Sequence, residues 1–384
     1  KGVYLMTTPN PLGEELAAEI IRRFPGSTCT YSTTLAARPA TPAAWPGWVH
    51  PGLKNFLAET GITALYSHQA QTADLAHEGN DVVLATGTSS GKSLGYLLPI
   101  LTRLADDPTA CALYLTPTKA LGSDQLAAVS RLTREVEGLQ TIHPAPYDGD
   151  TPSEARAGIR DTTRFVFTNP DMLHVSVLAN HARWARLLRH LRFIVVDECH
   201  TYRGVFGANV SLVLRRLLRI AAHYGARPTV ILASATANDP AGHAANLIGR
   251  PVTAVTEDGA PAGARTVMLW EPGFLEGVEG EQGAPVRRAA TTEAAGIMAT
   301  LVAEGARTLT FVRSRRSAEV VAMSAREALS AMGRPDFARR IAAYRAGYLA
   351  EDRRRLEHEL DDGTLLGVAT TNALELGIDI GGLD

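Results

Sequence analysis

The sequence predicts an α/β protein built of two parallel-sheet lobes in tandem, the second incomplete. Three observations carry this expectation. Apolar runs alternate with helical patterns along most of the 384 residues, as strands joined by helical crossovers do. One run, Asp81-Val82-Val83-Leu84-Ala85, leads into Thr86-Gly87-Thr88-Ser89-Ser90-Gly91-Lys92-Ser93 and then into a helical pattern from residue 94 to 104. Another, Phe193-Ile194-Val195-Val196, closes on Asp197-Glu198-Cys199-His200. Ligands of parallel sheets gather at the carboxyl ends of the strands, where both of these polar stretches fall.

Taken in order, residues 1–55 read as an N-terminal extension. It holds one amphipathic helical pattern at 12–24 and then a Pro/Ala-rich strap anchored by Trp45 and Trp48, whose indoles could alternatively form a platform for a base. Residues 56–256 form the first lobe, with strands expected at 82–85, 112–115, 165–167, 193–196 and 230–233. Residues 257–288 are rich in Gly, Pro and Glu and read as a linker carrying one strand, at 266–270. Residues 289–384 resume the alternation, with strands at 309–312, 339–344 and 366–369 and helices at 318–332 and 351–360. No internal repeat is visible, so the likeness of the two lobes rests on pattern.

Composition bounds the function. An apolar content of 45% suffices for two cores, and a net charge of −2 excludes a generally basic nucleic-acid binder, so any such contact must be local. Cys29, Cys111 and Cys199 lie far apart without C-x-x-C spacing, which argues against a disulfide framework or zinc knuckle and for a reducing, cytoplasmic setting. No apolar run is long enough to span a membrane. The chain begins at Lys1, neither a methionine nor a signal peptide, as a processed or excised start does.

The stretch from Thr86 to Ser93 has the order strand, loop, helix required of a phosphate-binding loop. Small residues let successive N–H groups turn onto phosphates, Lys92 reaches the β and γ oxygens, and the Ser93 hydroxyl can ligate Mg²⁺. Thr86 replaces the usual first glycine, which points away from simple kinases and toward motor proteins. Only four of the 38 basic residues are lysine, so the lysine after Gly91 stands out as a compact charge. In the acidic pair, one carboxylate suits a metal and the other a water.

Further short loops follow predicted strands: Thr116-Pro117-Thr118-Lys119, Asp148-Gly149-Asp150, Thr168-Asn169-Pro170-Asp171 and Ser234-Ala235-Thr236. Hydroxyls, helix N-termini and a lysine at one sheet edge suit a phosphodiester backbone, although the same residues also cap helices. The arginines at 183, 186 and 189, and at 215 and 219, read as solvated helix faces.

These blocks, with Tyr66-Ser67-His68-Gln69, Phe311 to Arg316 and Ala369 to Asp384, resemble the superfamily 2 DExH-box DNA helicases and translocases, within the clade of mycobacterial SftH and bacillary MrfA. The resemblance implies two RecA-like lobes and an ATP·Mg-dependent helicase moving 3′ to 5′ on single-stranded DNA or tailed duplexes in DNA repair. It implies that Gln69 reads adenine with Tyr66 stacking, and that Gly87, Thr88, Ser89, Ser90, Gly91 and Lys92 hold the phosphates. Ser93 and Asp197 would hold Mg²⁺, Glu198 would activate the water, and His200, Ser234 and Thr236 would couple hydrolysis to closure. Thr116, Pro117, Thr118, Lys119, Asp148, Gly149, Thr168, Arg313, Arg315, Thr371 and Asn372 would contact nucleic acid, while Gly377 and Asp379 would approach the nucleotide. The family's arginine-rich block would lie beyond Asp384, so weak hydrolysis is expected of this chain alone. A nucleotide-gated DNA clamp without turnover and an RNA helicase are the alternatives.

Overall fold

The computed structural model describes residues 12–345, 347–371 and 374, and the chain divides into two compact units, Pro39–Pro261 and the described part of Lys1–Arg38 with Ala262–Asp384.

The Pro39–Pro261 unit is built on a seven-stranded sheet, wholly parallel, in the order Thr253–Val255, Val82–Ala85, Thr229–Ser234, Leu191–Val196, Cys111–Leu115, Phe165–Thr168 and Pro144–Pro146. The central runs are apolar throughout because both faces are covered. Alternate residues enter separate cores: Val82, Leu84, Ala112, Tyr114, Phe193 and Val195 face one, and Val83, Leu113, Leu115, Ile194 and Val196 the other. The helix Ser67–His77 packs closely on Lys92–Asp106 at Gly95, where a Cβ would lie 3.2 Å from the Thr72 Cβ. Trp45 and Trp48 pack against the first of these cores; Trp45 Nε1 donates to the Thr63 carbonyl at 3.0 Å and Trp48 Nε1 to Asp74 at 2.8 Å. The indoles thus anchor the strap to this unit.

The other unit carries a three-stranded parallel sheet ordered Thr308–Phe311, Gly367–Thr370, Ile341–Tyr344, covered by the helices Ala290–Ala303 and Arg315–Ala331. The strand expected at 266–270 is present as Arg265–Glu271, but its partner and a second ribbon were not anticipated. Thr28–Leu35 pairs antiparallel with Arg265–Glu271, and Phe274–Glu279 pairs with Pro285–Arg287. Glu293, 2% exposed, ties these pieces together. It accepts hydrogen bonds from Ser27 Oγ, from Trp270 Nε1 at 2.8 Å and from Arg288 Nη1 at 2.8 Å.

The units therefore divide elsewhere than the boundaries at 55, 256 and 288. The described residues up to Arg38 join the second unit through strand pairing with a segment 230 or more positions later, a long-range pairing that local pattern does not encode. No described helix is long and apolar enough to cross a membrane.

Candidate functional site

The loop from Thr86 to Gly91 leaves the sheet at the carboxyl end of Val82–Ala85 and enters the helix Lys92–Asp106. Gly91 caps that helix at φ 75°, and a Cβ there would lie 2.6 Å from Gln69 Nε2, so both backbone and space require glycine. Ser89 also adopts a positive φ, 56°. Inside the loop Thr86 Oγ1 and Ser90 Oγ share a hydrogen bond of 2.8 Å, both side chains being buried. Thr86 thus staples the loop through its hydroxyl, which the usual glycine could not do. Lys92 Nζ donates to the carbonyls of Gly87 at 2.8 Å and Thr86 at 3.3 Å.

Two side chains of the preceding helix fix this loop from outside. Gln69 Oε1 accepts the Tyr66 N–H at 2.8 Å, while its Nε2 donates to the Gly91 carbonyl at 2.8 Å. His68, fully buried, contacts the Ser90 carbonyl through Nε2 at 3.0 Å and accepts the Gly259 N–H on Nδ1 at 3.1 Å. Because Nδ1 accepts, the ring proton sits on Nε2 and donates to Ser90. Asp258 accepts the Gly87 N–H at 3.3 Å. The loop is therefore held by residues 66–69 and 258–259, of which the latter pair lies in the stretch the sequence read as linker.

Asp197 and Glu198 follow the strand Leu191–Val196, two positions along the sheet from the loop strand. Asp197 is 5% exposed; its Oδ1 accepts the Glu198 N–H at 2.9 Å and its Oδ2 the Tyr114 hydroxyl at 2.5 Å. Burial pushes its carboxyl up to about 6, against the opposing pull of the Tyr114 bond. Glu198 turns out of the strand at φ 47° and is raised by burial too, with the charge of Lys92 opposing. Burial in turn lowers Lys92, offset by Glu198, Asp197 and Asp258, which places all four charges in one field.

His200 Nδ1 stands 3.3 Å from Glu198 Oε2 and accepts the Ala235 N–H at 3.2 Å. His200 thus reaches the backbone between Ser234, buried at its strand end, and Thr236, exposed in the turn beyond. Cys199 is buried, its thiol pushed up to about 12 by burial, as befits a packing residue.

Along the same edge, Thr116, Lys119, Asp148 and Thr168 line one small cleft with Gly122, Ser123, Pro146, Phe167 and Asn169. Adjacent strand ends bring them together: the Thr116 N–H donates to the Thr168 carbonyl at 3.1 Å. Thr118 caps the helix Lys119–Glu135 by accepting the Leu121 N–H, and exposed Lys119 pairs with Asp150 at 2.7 Å beside Gly149. Thr168 Oγ1 donates to the Tyr147 carbonyl at 2.6 Å, so its hydroxyl stabilises the turn. Pro117 joins Thr116 to the cap.

In the other unit Arg313 and Arg315 are exposed just past Thr308–Phe311, and Thr371 is buried just past Gly367–Thr370, the adjacent strand. Asn372, Gly377 and Asp379 lie outside the described residues.

Sequence reasoning assigned no role to Tyr96, Tyr114 or Asp258 and named His68 only within its motif. A signal existed for Tyr114: a phenol inside a buried strand requires a polar partner, and it stands two residues before a functional loop. Asp258 offered none, since its role depends on the chain returning to the loop from the edge strand Thr253–Val255.

Residues 66–243 match the DEAD/DEAH box helicase family. The chain is 42% identical over 322 residues to the ATP-dependent helicase HRQ1 of Saccharomyces cerevisiae, covering 83% of this chain and 29% of that protein. It is 38% identical over 346 residues to the ATP-dependent helicase YprA of Bacillus subtilis, covering 90% of this chain and 45% of that one. The helicase MrfA bound to DNA and AMPPNP superposes with a TM-score of 0.87 at 36% identity, covering 96% of this chain and 50% of MrfA. The chain thus spans half or less of the length of these three proteins.

Proposed function

Because this chain belongs to the superfamily 2 DEAD/DEAH-box helicases, in the clade of MrfA and HRQ1, we propose that it is the ATP-hydrolysing motor portion of a DNA helicase. The observation that carries this reading is one sheet edge bearing, side by side, a lysine-containing phosphate loop, buried Asp197 with half-buried Glu198, and a cleft of hydroxyls and lysine. MrfA, on which 96% of this chain superposes, was solved bound to DNA and AMPPNP.

In this reading the loop from Gly87 to Lys92 holds the triphosphate. Tyr66 stacks on adenine, and Gln69 reads its edge by exchanging a bond to the loop. Glu198 orients the attacking water and accepts its proton, aided by a carboxyl already raised by burial. Lys92 offsets charge on the transferred phosphoryl group. Ser93 and Asp197 supply two hard oxygen donors, and among the described residues no group of three or more His, Cys, Asp or Glu is placed to hold a metal ion. That donor set fits Mg²⁺, which is held through few protein oxygens and the substrate phosphates. When bound, the ion offsets phosphate charge. His200 passes the state of Glu198 to the Ser234 to Thr236 turn. Thr116 to Lys119, Asp148, Gly149 and Thr168 grip the backbone of single-stranded DNA, and Arg313, Arg315 and Thr371 are further candidates for contact with nucleic acid. Movement is 3′ to 5′, in the service of repair.

The test is strand separation of 3′- and 5′-tailed duplexes, with ATP consumption followed in parallel. The reading requires displacement with ATP on 3′-tailed DNA that Glu198→Gln abolishes. Displacement that survives this substitution would overturn it.

A further inference from the structure

Behind the acidic pair lies a chain of hydroxyls that the proposed chemistry does not use. Tyr114 sits in the strand Cys111–Leu115 and Tyr96 in the helix Lys92–Asp106, both essentially unexposed. The Tyr114 hydroxyl lies 2.5 Å from Asp197 Oδ2 and 2.9 Å from the Tyr96 hydroxyl, which lies 3.1 Å from Ser93 Oγ. Phe167 stacks on the Tyr114 ring at 4.8 Å between centroids, which fixes its plane.

Hydrogen counting gives this chain a direction. Ionised Asp197 can only accept, so Tyr114 donates to it and has no second hydrogen. Of the acceptors within reach of the Tyr96 hydroxyl, Tyr114 at 2.9 Å is nearer than Ser93 Oγ at 3.1 Å and Gln125 Oε1 at 3.4 Å, so Tyr96 donates to Tyr114 and turns its lone pairs toward Ser93. The Ser93 hydrogen is drawn inward, toward Tyr96 or toward Gln125 Oε1 at 3.5 Å. Its lone pairs are left facing away from the tyrosines. Asp197 is constrained in the same way: Tyr114 takes one lone pair of Oδ2 and the Glu198 N–H one of Oδ1.

Two phenylalanines would bury the same apolar area without desolvating two hydroxyls. The hydroxyls stand at the one place where they join the two side chains assigned to the metal. We propose that Tyr114 and Tyr96 are positioning residues that lock Asp197 and Ser93 into one preset pair of metal-facing oxygens. The proposal rests on the reading of this site as a metal–nucleotide site.

The experiment measures Mn²⁺ binding by electron paramagnetic resonance in the presence of AMP-PNP. It compares the 384-residue chain with Tyr114→Phe, Tyr96→Phe, the double variant and Asp197→Asn. Nucleotide affinity in EDTA and thermal melting are measured alongside. We expect Tyr114→Phe to weaken Mn²⁺ about tenfold, the scale on which outer partners of metal ligands act, with metal-free nucleotide affinity unchanged. Tyr96→Phe should weaken it less, and the double variant no more than Tyr114→Phe alone, because the two act in series. Wild-type Mn²⁺ affinity in both phenylalanine variants, with Asp197→Asn still impaired, would overturn the proposal and leave the site reading intact. An equal loss of metal-free and metal-bound nucleotide affinity would assign the tyrosines a packing role and overturn it too. Unimpaired Mn²⁺ binding by Asp197→Asn would remove the site reading itself and the proposal with it.

Discussion

His200 Nδ1 faces Glu198 Oε2 at 3.3 Å while accepting the Ala235 N–H at 3.2 Å, two contacts that one nitrogen cannot satisfy at once. With the ring hydrogen on Nε2, Nδ1 holds Ala235; with a hydrogen on Nδ1, the ring donates to Glu198 and releases Ala235. Whatever changes the charge beside Glu198 is thereby felt at the turn leading to Thr236. Replacing His200 by Ala should leave AMP-PNP affinity within about twofold but reduce DNA stimulation of ATP hydrolysis by about tenfold, within the usual range of coupling between sites. Stimulation equal to wild type would remove His200 from the coupling path.

Glu198→Gln keeps the shape of the side chain and removes its capacity to accept a proton. Phosphate release in the presence of single-stranded DNA should fall by about 10² to 10⁴ while nucleotide binding persists. A loss under threefold would assign the proton to another group.

Asp258 brings a negative charge to the phosphate loop, opposite Lys92. In Asp258→Asn that charge is gone, and a triphosphate should bind roughly three to ten times more tightly at low salt, about 1 kcal/mol, the size of a unit-charge interaction at about 4 Å in water. The gain should shrink as salt rises. Titration of AMP-PNP at two ionic strengths checks this; weaker binding at both would make Asp258 a support of the loop alone.

Lys119 is exposed at the edge of the hydroxyl-lined cleft. Its replacement by Ala should weaken single-stranded DNA binding of any sequence and lower the salt slope by about one. Fluorescence anisotropy over a salt series measures both quantities, and an unchanged slope would exclude a phosphate contact by Lys119.

Glu293 governs acid stability of its own unit. Burial opposes its charge, but hydrogen bonds from Ser27, Trp270 and Arg288 outweigh that and hold its carboxyl below the ordinary 4.5. A depressed carboxyl contributes stability that is complete above its unfolded value and is lost as pH falls through its folded one. Melting should therefore steepen in its fall below about pH 4.5. Glu293→Gln should flatten that limb and cost about 1–3 kcal/mol at neutral pH by leaving buried donors imperfectly paired.

What the sequence revealed and what it hid divide along physical lines. Strands such as Val82–Ala85 and Phe165–Thr168 were legible because burial on both faces makes them continuously apolar. The phosphate loop and acidic pair were legible because their chemistry demands particular residues at fixed spacing. Pro144–Pro146 was not, since two prolines mask an edge strand, where missing N–H groups are tolerated. Thr28–Leu35 was hidden because most of its residues are polar or exposed, and its partner lies far along the chain. The roles of Asp258, Tyr96 and Tyr114 depend on contacts across the sheet, which spacing along one chain does not express.

The proposed motor requires that nucleotide at the phosphate loop and DNA at the hydroxyl-lined edge be linked. The direct measurement is single-stranded DNA affinity with and without saturating AMP-PNP and Mg²⁺, in the wild-type chain and in Lys92→Ala. Linkage requires a change of about fivefold or more in the wild type, and none in Lys92→Ala. Identical DNA affinity with and without nucleotide in the wild type would contradict it.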